Sequence, residues 1–309
     1  MRVFSLVLLL NLVACTTGTV TRLQNAELVE YQSPALLTDI PFFPQDAYQC
    51  GPAALATVLS ASNQSTVPDE LVDEVYVPAR QGSLQIEMLA STRRHGRIPY
   101  LIDPDLASLM DEVRNGRPVL VLQNLGLGWF PRWHYAVVIG YDLAGEELVL
   151  HSGLRRNYEL NMNVFERTWN RSEHWGFVVL TPGELPAGVD EIRYLEAVAA
   201  FEPLADFAAV EAAYLAGIRR WPDSFSLNAA LGNSYYSQGM LQDAAERFRQ
   251  VTTQHPDSAD GHNNLAFVLS ELGEYQAAMD HAGRAIAIGG SRIELYRETL
   301  RQIQQAMTR

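Results

Sequence analysis

The sequence predicts an α+β domain over residues 39–181, followed by an all-α repeat array over residues 191–309. In the first part, helical patterns come before strand patterns, which is the order expected of an α+β fold. Residues 182–190 between them are rich in Pro and Gly, which break regular structure and indicate a linker. From Glu191 onward, small and apolar residues recur with a period of 34. A chain of 309 residues is long enough for two hydrophobic cores.

The first helix of the α+β domain is predicted from a helical pattern that starts at Ala53, shortly after Cys50. Leu55, Val58 and Leu59 are spaced to share one helical face, and Pro52 suits the first turn, where no N–H is needed. Cys50 would therefore lie at the N-terminus of the helix. Because the unpaired N–H groups and the helix dipole favour an anion there, we expect a lowered thiol pKa.

The remaining elements of this domain follow from periodicity and from breaker residues. Helices are predicted over residues 68–75, 84–94 and 105–114, and strands over residues 119–122, 133–141, 147–151 and 177–180. Asp142 to Gly145 would join two of the strands as a hairpin, which makes Asp142 a turn residue.

The repeats predict paired helices in three units and a terminal helix. The units are 191–224, 225–258 and 259–292, with a capping helix over the remaining residues. Small residues recur at one place, as with Ala244 and Ala278, and a proline or glycine closes each unit. This pattern resembles the tetratricopeptide repeat, which implies a solenoid whose concave face binds a peptide or a partner protein.

Two residues suggest nucleophilic catalysis, and a third suggests support for it. Cys50 offers a nucleophile, and His134, at the start of an apolar strand, offers a base. Gln45 is close enough to donate a side-chain N–H to an oxyanion held against the Cys50 amide. The alternative is a buried structural cysteine beside a core histidine, and the combination of the three residues favours catalysis.

These motifs resemble the papain-like cysteine peptidases that process bacteriocin leaders after a double glycine, in the form not fused to a transporter. The resemblance extends over about residues 41–180 and depends on the Cys-Gly-Pro-Ala-Ala run and on His-Tyr-Ala-Val-Val-x-Gly-Tyr-Asp. It implies that Cys50 is the nucleophile, His134 the base and Gln45 the oxyanion donor. The family orients its histidine with an Asp near the end of the next strand, where this chain has His151 and Ser152. The third member is therefore open between these two residues and a backbone carbonyl.

The N-terminus resembles a bacterial lipoprotein signal. Arg2 precedes a short apolar run, and Leu-Val-Ala-Cys ending at Cys15 resembles a lipobox. Residues 1–15 would then be the signal with its lipobox, Cys15 the acylated residue, and residues 16–38 a tether. Thr16 after the cysteine favours the outer membrane, facing the periplasm, by the same resemblance. With Cys15 lipidated, Cys50 would be an unpaired thiol in an oxidising compartment, which also favours its use in catalysis.

Composition and spacing exclude other classes of function. The formal charge is −13, and all 23 basic residues are Arg, so we expect no nucleic-acid partner and no lysine-dependent phosphate loop. The spacing of His134, His151 and His174 matches no zinc pattern, and we expect no metal or other cofactor. Residues 125–132, rich in Gly and aromatics, suit either a mobile rim of a substrate groove or an ordinary surface loop.

Together these observations predict a membrane-anchored cysteine peptidase whose repeats recruit a protein partner. Two other functions remain open at this stage. One is a hydrolase of peptidoglycan peptides, and the other is a non-catalytic binding lipoprotein with a decayed peptidase site.

Overall fold

The computed structural model describes residues 18–25, 31–44 and 49–308 of the chain. The predictions made for Cys15 and Gln45 fall outside these residues. Within them, no helix is long and apolar enough to cross a membrane.

A seven-stranded antiparallel sheet forms the centre of the N-terminal domain. Its strands are β1 (Ala35–Leu36), β4 (Ile98–Leu101), β5 (Val119–Asn124), β6 (Trp133–Asp142), β7 (Glu147–Ser152), β8 (Arg155–Asn161) and β9 (Gly176–Leu180), and a separate pair comprises β2 (Tyr76–Val77) and β3 (Gly82–Ser83). The order across the sheet is β4-β9-β5-β6-β7-β8, with β1 paired to the far end of β6. The predicted α+β fold is confirmed.

Helices cover both faces of the sheet. They are α1 (Gly18–Asn25), α2 (Cys50–Ala61), α3 (Pro68–Val75), α4 (Gln85–Arg94), α5 (Leu106–Arg114) and α6 (Met162–Asn170). Alternation along the strands creates two cores. Leu120 and Leu122 of β5 pack on the side of α2, whereas Val119 and Val121 pack with residues of α5 and α6.

The segment predicted to be a tether is packed against the domain over its described residues. Val20 of α1 is buried, and the Gln24 side chain donates to the backbone oxygen of Leu143 at 3.1 Å. Farther along, Tyr31 is buried and Ala35 pairs with Tyr141 of β6. These apolar side chains find partners on the sheet and on α5, which the local sequence does not reveal.

The C-terminal part consists of antiparallel helix pairs. The helices are α7 (Glu191–Phe201), α8 (Phe207–Arg220), α9 (Phe225–Ser237), α10 (Leu241–Gln254), α11 (Ala259–Glu271), α12 (Tyr275–Ile288) and α13 (Ile293–Met307). The period of 34 reflects their packing. At Gly232 an added Cβ would lie 2.8 Å from the ring of Phe248, and Ala244 and Ala278 are fully buried. Small residues therefore let neighbouring helices approach, as the repeat pattern predicts.

The helix pairs share their core with the N-terminal domain. Helix α7 packs against β4, and Tyr194 and Val198 belong to the same buried cluster as Ile98. The segment predicted as a linker is held in place as well, because the backbone N–H of Ala187 donates to the buried Glu112 at 2.8 Å. The chain is thus continuous in packing across the predicted boundary.

Candidate active site

Helix α2 places Cys50 at one end of the sheet. The helix begins at Cys50, so the cysteine lies at the helix N-terminus, as predicted, and nine consecutive residues, Gly51–Leu59, are buried between the sheet and its neighbours. Gly51 is required at this place, since an added Cβ would lie 2.1 Å from Ser83 Oγ and 2.5 Å from its Cβ. The close approach of Ser83 fixes the first turn of the helix beneath the thiol.

The thiol of Cys50 lies against the beginning of β6. Backbone hydrogen bonds from Tyr135, Gly51 and Cys50 itself favour its thiolate, but burial outweighs them and raises the pKa of Cys50 above its ordinary value of 9.0. The sign is opposite to the one predicted from the helix N-terminus. Desolvation by the surrounding fold, which the local sequence does not show, is the physical reason.

His134 precedes Tyr135, so the predicted base is next in the chain to the residue whose backbone contacts the predicted nucleophile. Its Nε2 lies 2.9 Å from Ser152 Oγ at the end of β7. Side chains alternate between the two faces of the sheet along β6, so His134 lies on the same face as Ala136. In the pairing of β5 with β6, His134 is the cross-strand neighbour of Gln123. The imidazole is therefore held at the sheet end by a neutral hydroxyl.

The surroundings of His134 keep it uncharged at neutral pH. Burial, followed by the positive charges of Arg155 and Arg132, lowers the pKa of His134 to about 4. At pH 7 the imidazole is neutral and able to accept a proton. The resting pair is consequently a neutral thiol and a neutral imidazole, without a preformed thiolate–imidazolium pair.

Of the residues considered for the third member, Ser152 contacts His134 and His151 does not. His151 packs edge-on against Phe42, its Nε2 lies 3.3 Å from the backbone oxygen of Ile40, and its Nδ1 accepts from the backbone N–H of Asn157 at 3.4 Å. With both ring nitrogens engaged in this way, His151 joins the lead-in segment to the sheet.

The other predicted polar residues lie elsewhere. Asp142 was predicted to be a turn residue and is the last residue of β6, where its Oδ1 accepts from the backbone N–H of Gly145 at 3.0 Å in the turn that follows. His174 Nε2 lies 3.0 Å from Glu166 Oε1 on α6. Among the residues that the structure describes, no three His, Cys, Asp or Glu side chains come together in a group that could hold a metal ion.

The loop before His134 is a tight hairpin held by hydrogen bonds. Leu127 and Phe130 exchange two backbone hydrogen bonds of 3.1 Å, and Asn124 Oδ1 accepts from two backbone N–H groups. Arg171 of the α6–β9 turn donates to the backbone oxygen of Gly126 at 2.7 Å. These hydrogen bonds count against a mobile rim, one of the two interpretations of residues 125–132, although Trp129 at the tip is 83% exposed.

Sequence reasoning did not single out Arg132 and Arg155, the two arginines whose charges reach His134. A signal was available for both. Arg132 comes two residues before His134, and Arg155 pairs with Ser152 across a tight hairpin. The oxyanion donor predicted at Gln45 lies outside the described residues.

Residues 37–176 match the Peptidase_C39 like family. The N-terminal domain therefore has a C39-like peptidase fold, and the predicted family resemblance is confirmed over this segment. Residues 232–273 match the TPR repeat, which confirms a tetratricopeptide region after the C39-like domain.

The solved structures that resemble this chain have low sequence identity to it. A C39-like peptidase from Bacillus anthracis is 15% identical over 48% of this chain and 98% of its own, with a TM-score of 0.41. A double glycine motif protease from an AMS/PCAT transporter, solved with its leader peptide, is 18% identical over 47% of this chain and 93% of its own, with a TM-score of 0.35. The MamA protein is 23% identical over 38% of this chain and 63% of its own, also with a TM-score of 0.35. No curated protein matches the chain.

Proposed function

We propose that the chain is a cysteine peptidase that uses Cys50 and His134. The observation that supports this most directly is the position of the Cys50 thiol at the Tyr135 backbone, next to a histidine whose Nε2 lies 2.9 Å from Ser152 Oγ. On this proposal Cys50 is the nucleophile, His134 the base and Ser152 the group that orients the base, all at one end of the sheet.

The mechanism follows from a neutral resting pair. If His134 Nε2–H donates to Ser152, the lone pair on Nδ1 takes the thiol proton while the sulfur attacks the scissile carbonyl. The oxyanion is held by the Cys50 N–H at the start of α2 and by the proposed donor Gln45. His134 then protonates the leaving amine, and water hydrolyses the thioester with His134 again as base.

The role of Ser152 gives a test of coupling between base and thiol. In Ser152→Asp, a carboxylate beside Nε2 should stabilise the imidazolium, which in turn stabilises the thiolate of Cys50. We expect alkylation of Cys50 by iodoacetamide at pH 7 to accelerate by roughly tenfold, the effect of about one pKa unit. The measurement is the alkylation rate from pH 5 to pH 10.

Ser152→Asn is the matched control, because it has nearly the same size and no charge. The rate of Cys50 alkylation in this variant should be close to that of the wild-type protein. If the thiol were not coupled to His134, the added negative charge would disfavour the thiolate directly, and Ser152→Asp would slow alkylation. A slower rate would therefore contradict the proposed dyad.

A second candidate function is peptide binding without cleavage. The raised pKa of Cys50 and the neutral hydroxyl in place of the family's carboxylate favour it. The two candidates differ in whether peptides are cleaved, which a comparison of the protein with its Cys50→Ala variant measures directly.

We also propose that Cys15 carries lipid and holds the protein at the bacterial outer membrane, facing the periplasm. The lipobox-like sequence supports this proposal. Cys15→Ser should move the protein from the membrane fraction to the soluble fraction, or leave it unprocessed, and should abolish labelling with radioactive palmitate. A variant that still labels and sediments with membranes would contradict the lipid anchor.

The repeats are proposed to recruit a protein partner. Their solenoid presents exposed aromatic side chains between neighbouring units, such as Tyr236, whose ring lies edge-on to Phe267 at 5.5 Å. Partly exposed aromatic residues are common in protein interfaces. Tyr236→Ala should weaken capture of such a partner without altering the reactivity of Cys50.

A further inference from the structure

The active-site end of the sheet carries three arginines that form no ion pair with the residues that the structure describes. Arg132, Arg155 and Arg156 are exposed, and none of them lies within ion-pair distance of a carboxylate of the described residues. Some of the other described arginines form ion pairs, as Arg292 does with Asp260 at 3.1 Å. In a chain of net charge −13, unpaired positive charge at this end indicates a site for an anionic ligand.

Two of these arginines belong to the surroundings of the dyad itself. Arg155 is paired in register with Ser152, whose hydroxyl contacts His134, and its guanidinium lies 3.4 Å from the centre of the Tyr158 ring. Arg132 follows the β5–β6 hairpin and comes two residues before His134. An anion bound by both arginines would lie close to the imidazole.

Apolar side chains flank the same place. Trp129 and Phe130 at the tip of the hairpin are 83% and 67% exposed, and Leu154 on the neighbouring β7–β8 turn is 73% exposed. Both turns lie at the end of the sheet where β6 begins and β7 ends. Because the hairpin is fixed by hydrogen bonds, these side chains form a preorganised contact surface.

We propose that the site takes peptides with an acidic side chain near the scissile bond and a large apolar side chain close to it, the acidic group binding between Arg132 and Arg155. This inference rests on the proposed peptidase function. The substrate carboxylate would supply, beside His134, the negative charge that Ser152 does not provide.

The electrostatic consequence is activation by the substrate. An anion near Arg132 and Arg155 offsets two positive charges that disfavour the imidazolium, so the base becomes stronger only when an acidic substrate is bound. The carboxylate takes no part in bond making. The proton still passes from the Cys50 thiol to His134 and then to the leaving amine.

The test uses the full-length protein and two pools of quenched fluorescent octapeptides that are identical except that each Glu is Gln in the second pool. We expect the Glu pool to be cleaved roughly tenfold faster, the effect of one charge-assisted hydrogen bond. The double variant Arg132→Gln, Arg155→Gln should lose this preference, so that the Glu and Gln pools are cleaved at the same rate. Arg284→Gln, which removes one positive charge at an exposed position of α12, is the control and should retain the preference.

A binding measurement separates this inference from the peptidase function. In Cys50→Ala, dye-labelled Glu peptides should bind more tightly than Gln peptides, and the double arginine variant should remove the difference. Equal cleavage of the two pools by the unmodified protein would overturn the inference and leave the peptidase function standing. Glu-selective binding without any cleavage would overturn the peptidase function and retain the recognition of acidic peptides.

Two substitutions at the tip of the hairpin test its contact with the apolar side chain of the substrate. Trp129→Ser with Phe130→Ser should remove any preference for large apolar residues among the cleaved peptides. If the double change instead leaves cleavage unaltered and abolishes binding to vesicles of anionic phospholipid, the hairpin contacts membrane, and its role in peptide recognition is wrong.

Discussion

Replacing Cys50 by alanine is expected to reduce peptide cleavage by about 10⁴-fold or more, since the covalent step has no other nucleophile. The thiol lies at the start of α2, where backbone groups of Tyr135, Gly51 and Cys50 favour its anionic form, and the substitution removes only the sulfur. Circular dichroism should therefore be unchanged. The measurement is the initial rate on the peptide pools at pH 7.

Gln49→Ala is the matched control for this loss. Gln49 is adjacent to the nucleophile, but its side chain makes no capping hydrogen bond to α2, so we expect a rate close to that of the unmodified protein. His134→Ala should approach the loss seen for Cys50→Ala, because residues that act as a unit are not additive. Cleavage that survives in Cys50→Ala would show that the activity belongs to a contaminating enzyme and would favour a purely binding role.

Ending the chain at Gly183 is expected to destroy cooperative folding of the C39-like domain. The cut removes Tyr194, Val198 and Phe201, all fully buried in a core shared with β4. Burial of each such side chain contributes about 1.5–3 kcal/mol, so the loss is comparable to the whole stability of a domain. It also removes the hydrogen bond from Ala187 to the buried Glu112. The measurement is the urea unfolding transition.

A longer chain ending at Gly239 is the control. It retains α7 to α9, and with them the helix that packs on β4, and it lacks the later repeats. We expect it to unfold cooperatively and to alkylate at Cys50 with the normal rate. A cooperative transition in the shorter chain would contradict the structural continuity between the two parts.

Local patterns predicted much of this fold, because amphipathic periodicity marks the buried face of each element. The helix predicted over residues 68–75 is found as α3 (Pro68–Val75). Strand β8 (Arg155–Asn161) was not predicted, since it is a largely exposed edge strand without an apolar alternation. Helix α6 was also missed, although Met162, Phe165 and Trp169 have helical spacing and are buried.

The places of Cys50 and His134 in the fold were predictable from the sequence, and the direction of the shift in the Cys50 pKa was not. Cys50 and His134 could be placed because a helix start and a strand start are local features of the sequence. The shift in the pKa of Cys50 could not be predicted, because its direction depends on desolvation by residues far away in the chain. The choice of Ser152 over His151 needed the register of β6 and β7, which only the folded sheet defines.

The docking of α1 also determines how far the active site would stand from a bilayer. Gly18, where α1 begins, is three residues after Cys15, and three residues span at most about 11 Å. Through Gln24, α1 is bound to the turn after β6, at the opposite end of that strand from His134. The eight residues from His134 to Asp142 correspond to roughly 27 Å of extended strand. If Cys15 is anchored as proposed, the short connection keeps the turn after β6 near the lipid. Cys50 and His134, at the opposite end of the strand, would then face the aqueous space, and substrates would arrive from solution.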